Sequence, residues 1–492
     1  MLSMLLIASI MMIPKVSVAG DVDSKKARQV GAYFMASQFG SKAITDNSLK
    51  QVYEIPNMER NIPALYVFNT ADERGFVIVA GSDCIEPIVA YSTEGAFDPN
   101  NIPPNMLWWL NGQAADVILA QNNELEPAAE SISKWDELLE KRLPYFGAKS
   151  KDRILLLTSK WNQEPLYNEM CPSDANGKSV TGCVATAMAQ IIYYWRYPRK
   201  GYDYHSYYWN HQYLEVDFSE QYYDYDKMVD ALDNTSTQEQ INEVAKLSYH
   251  CGVSVDMSYS SEASGASSDD VIKAYRNYFK YVKDSLNFIK RTNARYYNAN
   301  STTTPNYKDT LWVEDIKAEI LKRRPVYYAG HDVGNGTHAG HAFVCDGWNP
   351  EVKTMHFNWG WGGSGDCWCN VYKSKLKPSQ GSLSGYNFTT YHEALLGITP
   401  PADSIQFVGI NEVENPFTAE VYPNPASSQV TVSYSLDGNS DSEMQILDLT
   451  GKVVYSTMVS PASYQVTLPV SSLRPGVYFC RLQGHSKKFI VK

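Results

Sequence analysis

The spacing of apolar positions changes repeatedly along the chain, and each change predicts a different kind of element. Residues 5–13 are apolar except for Ser9, too short a run to span a bilayer. Ser17, Val18 and Ala19 follow it, so the first 19 residues read as a secretory signal cut near Ala19. No positive charge precedes the apolar core, a departure from the usual signal pattern. Residues 25–39 have helical character. LYVFN, GFVIVAG and PIVAYS then read as three short strands separated by turn residues. PPNMLWWLNGQAADVILAQ and SKWDELLEKRL read as helices, the first opened by prolines. These elements predict a compact α+β module over 20–150. It ends in the polar stretch GAKSKDR, where Lys149 and Lys151 mark a cleavable boundary.

The period switches at TGCVATAMAQIIYYW. Val184, Met188, Ile191 and Trp195 recur at helical spacing from Cys183 onward. Thr181 and Gly182 read as the helix entry, with the Thr181 hydroxyl as the cap. Tyr197-Pro198 ends the run, because the residue before proline is pushed out of the α region. Downstream, GHAFVCDGW alternates, so His341, Phe343 and Cys345 share one face of a strand. A second apolar run ends at Asn358, before the glycine-rich WGWGGSG. From about Ser404 the pattern becomes short alternating strands with many turn residues: VTVSYSL, SEMQILDL, KVVYSTMV, YQVTLPV and GVYFCRL. They predict a small antiparallel sandwich of the immunoglobulin-like kind.

Composition narrows the class. A chain of 492 residues exceeds one core, so several domains are expected. The net charge of −11, with no basic run, favours solubility and argues against a nucleic-acid partner. Eight cysteines are scattered rather than arrayed as a disulfide framework. Cys367 and Cys369, on one face if extended, are poorly placed to bridge. The 35 tyrosines, many between Tyr193 and Tyr225, are expected in core and surface packing, with a peptide-binding wall as a lesser role.

The candidate chemistry lies at the two period changes. A thiol at a helix N-terminus sits at the positive end of the macrodipole, which favours the nucleophilic thiolate. Cys183 alone also fits a small buried hydrophobe. The chain order Cys183, His341, Asn358 is that of papain-like proteases, whose third residue orients the imidazole. An imidazolium beside the thiolate would lower the Cys183 pKa and be raised in return. His331, Asp332 and His338 fall near His341 and have the residue types of a zinc site. They sit on a glycine-rich stretch with no helix to align ligands, so a loop beside the site is expected rather than a metal. Gln163, near Pro165, reads by itself as a polar loop residue.

TGCVATAMAQ and GHAFVCDGW, taken with NWGWGG and KWNQEPLYN, resemble the streptopain family of secreted cysteine peptidases, in the interpain-like form carried by Bacteroidetes bacteria. The likeness spans about 24–397. It implies Cys183 as nucleophile and His341 as general base. Asn358 and Trp359 would support and shield that histidine, and Gln163 would be the oxyanion donor. It also implies protein substrates, a bulky hydrophobic side chain two residues before the cut, and no cofactor. The segment GFVIVAGSD through IVAYSTEGAFD is similar to that family's pro-segment, which blocks the active site and assists folding. VYPNPASS, LTGKVV, LRPGVYFCRL and the final KKFIVK resemble the sorting domain of the type IX secretion system. An accessory binding sandwich is the plainer alternative there.

The expected architecture is therefore α+β. A signal peptide (1–19) and an inhibitory pro-segment (20–150) precede a papain-like two-lobed catalytic domain (151–400). A linker (401–418) leads to a β-sandwich that engages the secretion machinery (419–492). The expected protein is a secreted or cell-surface cysteine endopeptidase made as a zymogen. A thiol amidase or acyl-transferase and an inactive adhesion protein are the alternatives.

Overall fold

A computed structural model describes residues 20–40, 44–122, 129–141, 153–292, 309–332, 340–371, 390–404, 420–433, 441–448, 452–460, 465–482 and 485–492. The expected signal peptide, the Lys149–Lys151 boundary, His338 and most of the expected linker lie outside the described residues. The chain divides into two compact units, Met1–Ile405 and Gln406–Lys492.

In the first unit α1 (Ser24–Phe39) starts where the Asp23 carboxylate accepts the Lys26 N–H, and stops at Gly40 in the left-handed region. Then come β1 (Leu49–Asn57), β2 (Ile62–Thr70), β3 (Phe76–Ala80) and β4 (Ile88–Ser92). Of these β1 has no counterpart among the expected strands. Its burial mixes exposed and half-buried positions along its length, so it carries a weaker apolar signal than the fully buried β3 and β4. Next are α2 (Pro104–Gln121), with Pro104 in its first turn, and α3 (Ala129–Leu139). The central part holds β5 (Ile154–Leu155), α4 (Cys183–Trp195), the hairpin β6 (Tyr204–Trp209) and β7 (Gln212–Asp217), α5 (Gln238–Val253) and α6 (Ser268–Asn277). It closes with β8 (Asn287–Thr292), α7 (Asp309–Leu321), β9 (Val326–Asp332), β10 (Gly340–Asn349), β11 (Thr354–Asn358), β12 (Cys367–Cys369) and β13 (Thr390–Leu396).

Ten of these strands form one antiparallel sheet in the order β1-β2-β3-β4-β12-β11-β10-β9-β13-β8, with β5 also paired to β10. The N-terminal elements expected to form a separate module thus share a sheet with the rest of the unit. The junction is short: β12 meets β4 through Trp368 opposite Tyr91 and Cys369 opposite Ala90.

Alternation divides β9, β10 and β13 between two cores. Tyr327, Ala329, Ala342, Val344 and Leu395 face a cluster with α4, α5 and α6. Val326, Tyr328, Phe343, Cys345, Ala394 and Leu396 face a second cluster, which contains residues of α1, α2 and α7. All eight cysteines are free thiols; seven are buried and Cys183 is half-buried. Cys367 and Cys369 do share a face, their sulfurs 3.4 Å apart.

In the second unit β14 (Glu420–Tyr422), β15 (Gln429–Ser433) and β18 (Gln465–Pro469) form one sheet. β16 (Ser442–Leu447), β17 (Val453–Val459), β19 (Gly476–Leu482) and β20 (His485–Val491) form the other, in the order β17-β16-β19-β20. Val430, Val432 and Leu468 of the first meet Met444, Ile446, Cys480 and Phe489 of the second in one core, the antiparallel sandwich that the alternation predicts.

Candidate active site

The helix α4 spans the expected Cys183–Trp195, with Val184, Met188 and Ile191 buried. Its entry differs from expectation. Gly182 (φ 86°) is the N-cap, and no side chain caps the helix. The Thr181 hydroxyl is instead 2.9 Å from the Thr186 hydroxyl, whose position is fixed by its own bond to the Gly182 carbonyl. Leaving the first N–H groups uncapped keeps the positive end of the helix available at Cys183.

Cys183 lies against β10, where the Ala342 N–H donates to its sulfur at 3.4 Å. The thiol thus sits one residue from His341. Alternation puts Ala342 on the α4 side and His341 on the side of Phe343. Burial raises the Cys183 thiol above its ordinary value; N–H groups of Ala342, Val184 and Cys183 itself pull the other way without overcoming it. The direction is opposite to the lowered thiol pKa expected from sequence, because desolvation outweighs those backbone hydrogen bonds.

The His341 side of β10 is covered by the first turns of α2. The Asn105 amide donates to the Trp359 carbonyl at 2.6 Å and to the Ala342 carbonyl at 3.4 Å. Gly330, directly opposite His341 on β9, has no room for a side chain. A Cβ there would meet the Trp108 ring at 2.1 Å. Trp359 is fully buried on the same side, 4.7 Å from Phe343 and 6.3 Å from Trp109 between ring centres. Its indole N–H donates to Gly365 O, and its backbone N–H to the Asp366 carboxylate.

Gln163 is buried, and its carbonyl accepts the Thr181 N–H at 3.2 Å, which ties it to the entry of α4. Its side-chain amide has no hydrogen-bond partner among the described residues. Asn358 is engaged elsewhere than expected. Its Nδ2 donates to Ser159 O (2.8 Å) and to Gln190 Oε1 (3.2 Å). Its Oδ1 accepts from Gln190 Nε2 (2.9 Å) and Gly360 N (3.0 Å). Both donors and both lone pairs are used, and a bond to His341 is not among these four. In this arrangement the Asn358 amide is committed to the chain segments around the site.

Behind the glycine-rich turn lies a buried charged group. His356 Nδ1 is 2.7 Å from Asp346 Oδ1. Burial raises Asp366 to about 7, with His356 opposing. For His356 burial favours the neutral ring, but the charge and hydrogen bond of Asp346 outweigh it and the pKa is raised. Among the described residues no group of three or more His, Cys, Asp or Glu could hold a metal ion.

Sequence reasoning did not single out Gln190, Asn105 or Trp108. Gln190 had a legible signal, since it follows Cys183 by seven residues and so lies on the same helical face. Asn105 and Trp108 had none, because their partners come from the other end of the unit.

Comparisons with known proteins find likenesses for three parts of the chain. Residues 161–369 match the peptidase C10 family, 19–117 the Spi protease inhibitor family, and 420–492 the secretion system C-terminal sorting domain. The chain is 30% identical over 465 residues to thiol protease/hemagglutinin PrtT of Porphyromonas gingivalis, across 92% of this chain and 48% of that protein. It therefore spans about half the length of that relative. It is 29% identical to streptopain of Streptococcus pyogenes over 361 residues, 68% of this chain and 81% of streptopain. A solved fragment of Prevotella intermedia prointerpain A superposes with a TM-score of 0.54 at 25% identity, covering 72% of this chain and 99% of the fragment. The C-terminal match marks an exported protein, extracellular or at the cell surface.

Proposed function

We propose that this chain, which carries a peptidase C10 domain behind a Spi-type inhibitor segment, is a cysteine endopeptidase exported as a zymogen. Cys183 attacks the carbonyl of a peptide bond in a protein substrate. The developing oxyanion is met by the Gln163 amide and the Cys183 backbone N–H, a type of contact that contributes about 3 kcal/mol to lowering the barrier. His341 carries the thiol proton to the leaving amine. Water, deprotonated by the same imidazole, then hydrolyses the thioester. Support comes above all from one arrangement: Cys183 opens α4 with no side-chain cap and lies against β10 one residue from His341.

The same geometry supports latency. Asn105 and Trp108 occupy the face of β9 and β10 that carries His341, and burial raises the Cys183 thiol above its ordinary value. In this reading the N-terminal segment is an intramolecular inhibitor, and its departure lets His341 turn to the sulfur. The C-terminal sandwich engages the secretion machinery and takes no part in the chemistry.

Purified protein, trimmed of the N-terminal segment, is expected to hydrolyse casein and to lose all of that activity as Cys183→Ala, with its melting temperature preserved. Casein hydrolysis by Cys183→Ala at the wild-type rate would remove the thiol from the mechanism.

A further inference from the structure

Gln190 is fully buried and bonded to two other segments of the chain at once. Its Oε1 accepts from Ser159 Oγ (2.9 Å), Trp161 N (3.2 Å) and Asn358 Nδ2 (3.2 Å), and its Nε2 donates to Asn358 Oδ1 (2.9 Å). Ser159 and Trp161 lie on the strand of chain that leads into Gln163. Asn358 precedes Trp359 and the glycine-rich turn. Gln190 itself lies two helical turns below Cys183, on the same face of α4. Thr186 lies between them on that face and packs on the turn; a Cβ at Gly360 (φ 75°) would meet its methyl at 3.2 Å.

We propose that Gln190 is a positioning residue for the thiol chemistry, fixing the nucleophile's helix against both the Gln163 segment and the Trp359 turn. The proposal rests on the peptidase reading above. A hydrophobic contact between these segments would hold them together but let them slide. The reciprocal amide pair of Gln190 and Asn358 does not allow that. Asn358 cannot flip to accommodate a change, because the Gly360 N–H and the Ser159 carbonyl each fix one end of its amide. Rotation or translation of α4 would break up to four buried hydrogen bonds together, and buried polar groups left unpaired are costly. Placement matters because a shift of about 1 Å in a reacting group can cost on the order of 100-fold in rate.

The substitution Gln190→Glu tests this with an isosteric side chain. Protonated, the acid keeps one donor for Asn358 Oδ1. Ionised, it keeps none and sets oxygen against oxygen. Trimmed Gln190→Glu enzyme is assayed across pH, with the concentration of competent sites counted by an irreversible thiol inhibitor. The expected result is near-wild-type kcat per titrated site at the acid end and a loss on the order of 10–100-fold as pH rises, with KM little changed. Wild-type enzyme should lack this extra limb. A purely structural role would move the melting temperature and the number of competent sites but not kcat per site, and that outcome overturns the proposal. If Gln190→Glu does not fold, Asn358→Asp reads the same contact from its other side and must show the same limb. Failure of the peptidase reading is separately visible: trimmed wild-type protein would then not hydrolyse casein, or its hydrolysis would survive thiol alkylation, whatever the Gln190 variant does.

Discussion

The two faces of the catalytic half of the sheet are built from different parts of the chain. The face that carries Ala342 and Val344 is packed by α4, α5 and α6, all from within or near the peptidase C10 match. The face that carries Phe343, and by alternation His341, is completed by α2 from the N-terminal segment. Cys183 thus packs with a core drawn entirely from 157–398, while His341 lies on the side of a core that the N-terminal segment shares; in the proposed function these are the nucleophile and its base, and that segment is the part that leaves. On the proposed function, control by the N-terminal segment would need no distortion of the Cys183 helix, only occupation of the other side of one strand.

The strongest test of this contrast is on the Cys183 face. In trimmed enzyme, Gln163→Ala is expected to lower kcat by roughly 10²–10³ with KM nearly unchanged, since the amide acts on the oxyanion and not on bound substrate. A change confined to KM would move Gln163 to substrate positioning. On the shared face, cutting away the N-terminal segment should raise the alkylation rate of Cys183 at neutral pH by about 100-fold or more. An inhibitor tethered in cis acts at an effective concentration near millimolar. Equal alkylation rates in intact and trimmed protein would mean that α2 does not govern the thiol.

The smallest effect concerns the turn between the faces. Asp366 has a folded pKa of about 7, raised from 3.8, so the folded state binds its proton more tightly than the unfolded chain. The stability this contributes is fully present below pH 4 and is lost as pH rises through about 7. Asp366→Asn keeps an acceptor for the Trp359 N–H and cannot ionise. Its melting temperature is expected to gain on wild type steadily between pH 4 and 8. His356, also raised, should leave a residual slope of the same sign in the variant. Parallel melting curves across that range would show that Asp366 is not held protonated.

Much of this was legible in the sequence where the signal is local. The α4 span followed from the spacing of Val184, Met188 and Ile191 and from the Tyr197-Pro198 stop. The split of β10 between two faces followed from strict alternation. What failed was partner choice across long separations. The order Cys183, His341, Asn358 gave the identity of the third residue but not its bonds, which go to Gln190 and Ser159. Thr181 had the right chemistry for a cap, but the Thr186 hydroxyl lay within reach and competed for it. The joining of the N-terminal strands to the main sheet was hidden for a similar reason. It depends on three residues, Cys367, Trp368 and Cys369, too few to carry a strand pattern.

That three-residue junction also bears on what happens after the inhibitor segment departs. Unpaired strand edges recruit other chains, and long flat ones seed aggregation. Stripping β4 away bares β12, but β12 offers only the span from Cys367 to Cys369, and it touched β4 through two residue pairs and the bond from Asn370 N to Val89 O. So short a seam peels with little loss of backbone hydrogen bonding. The edge it leaves spans only three residues, too short to be a good template for a foreign strand.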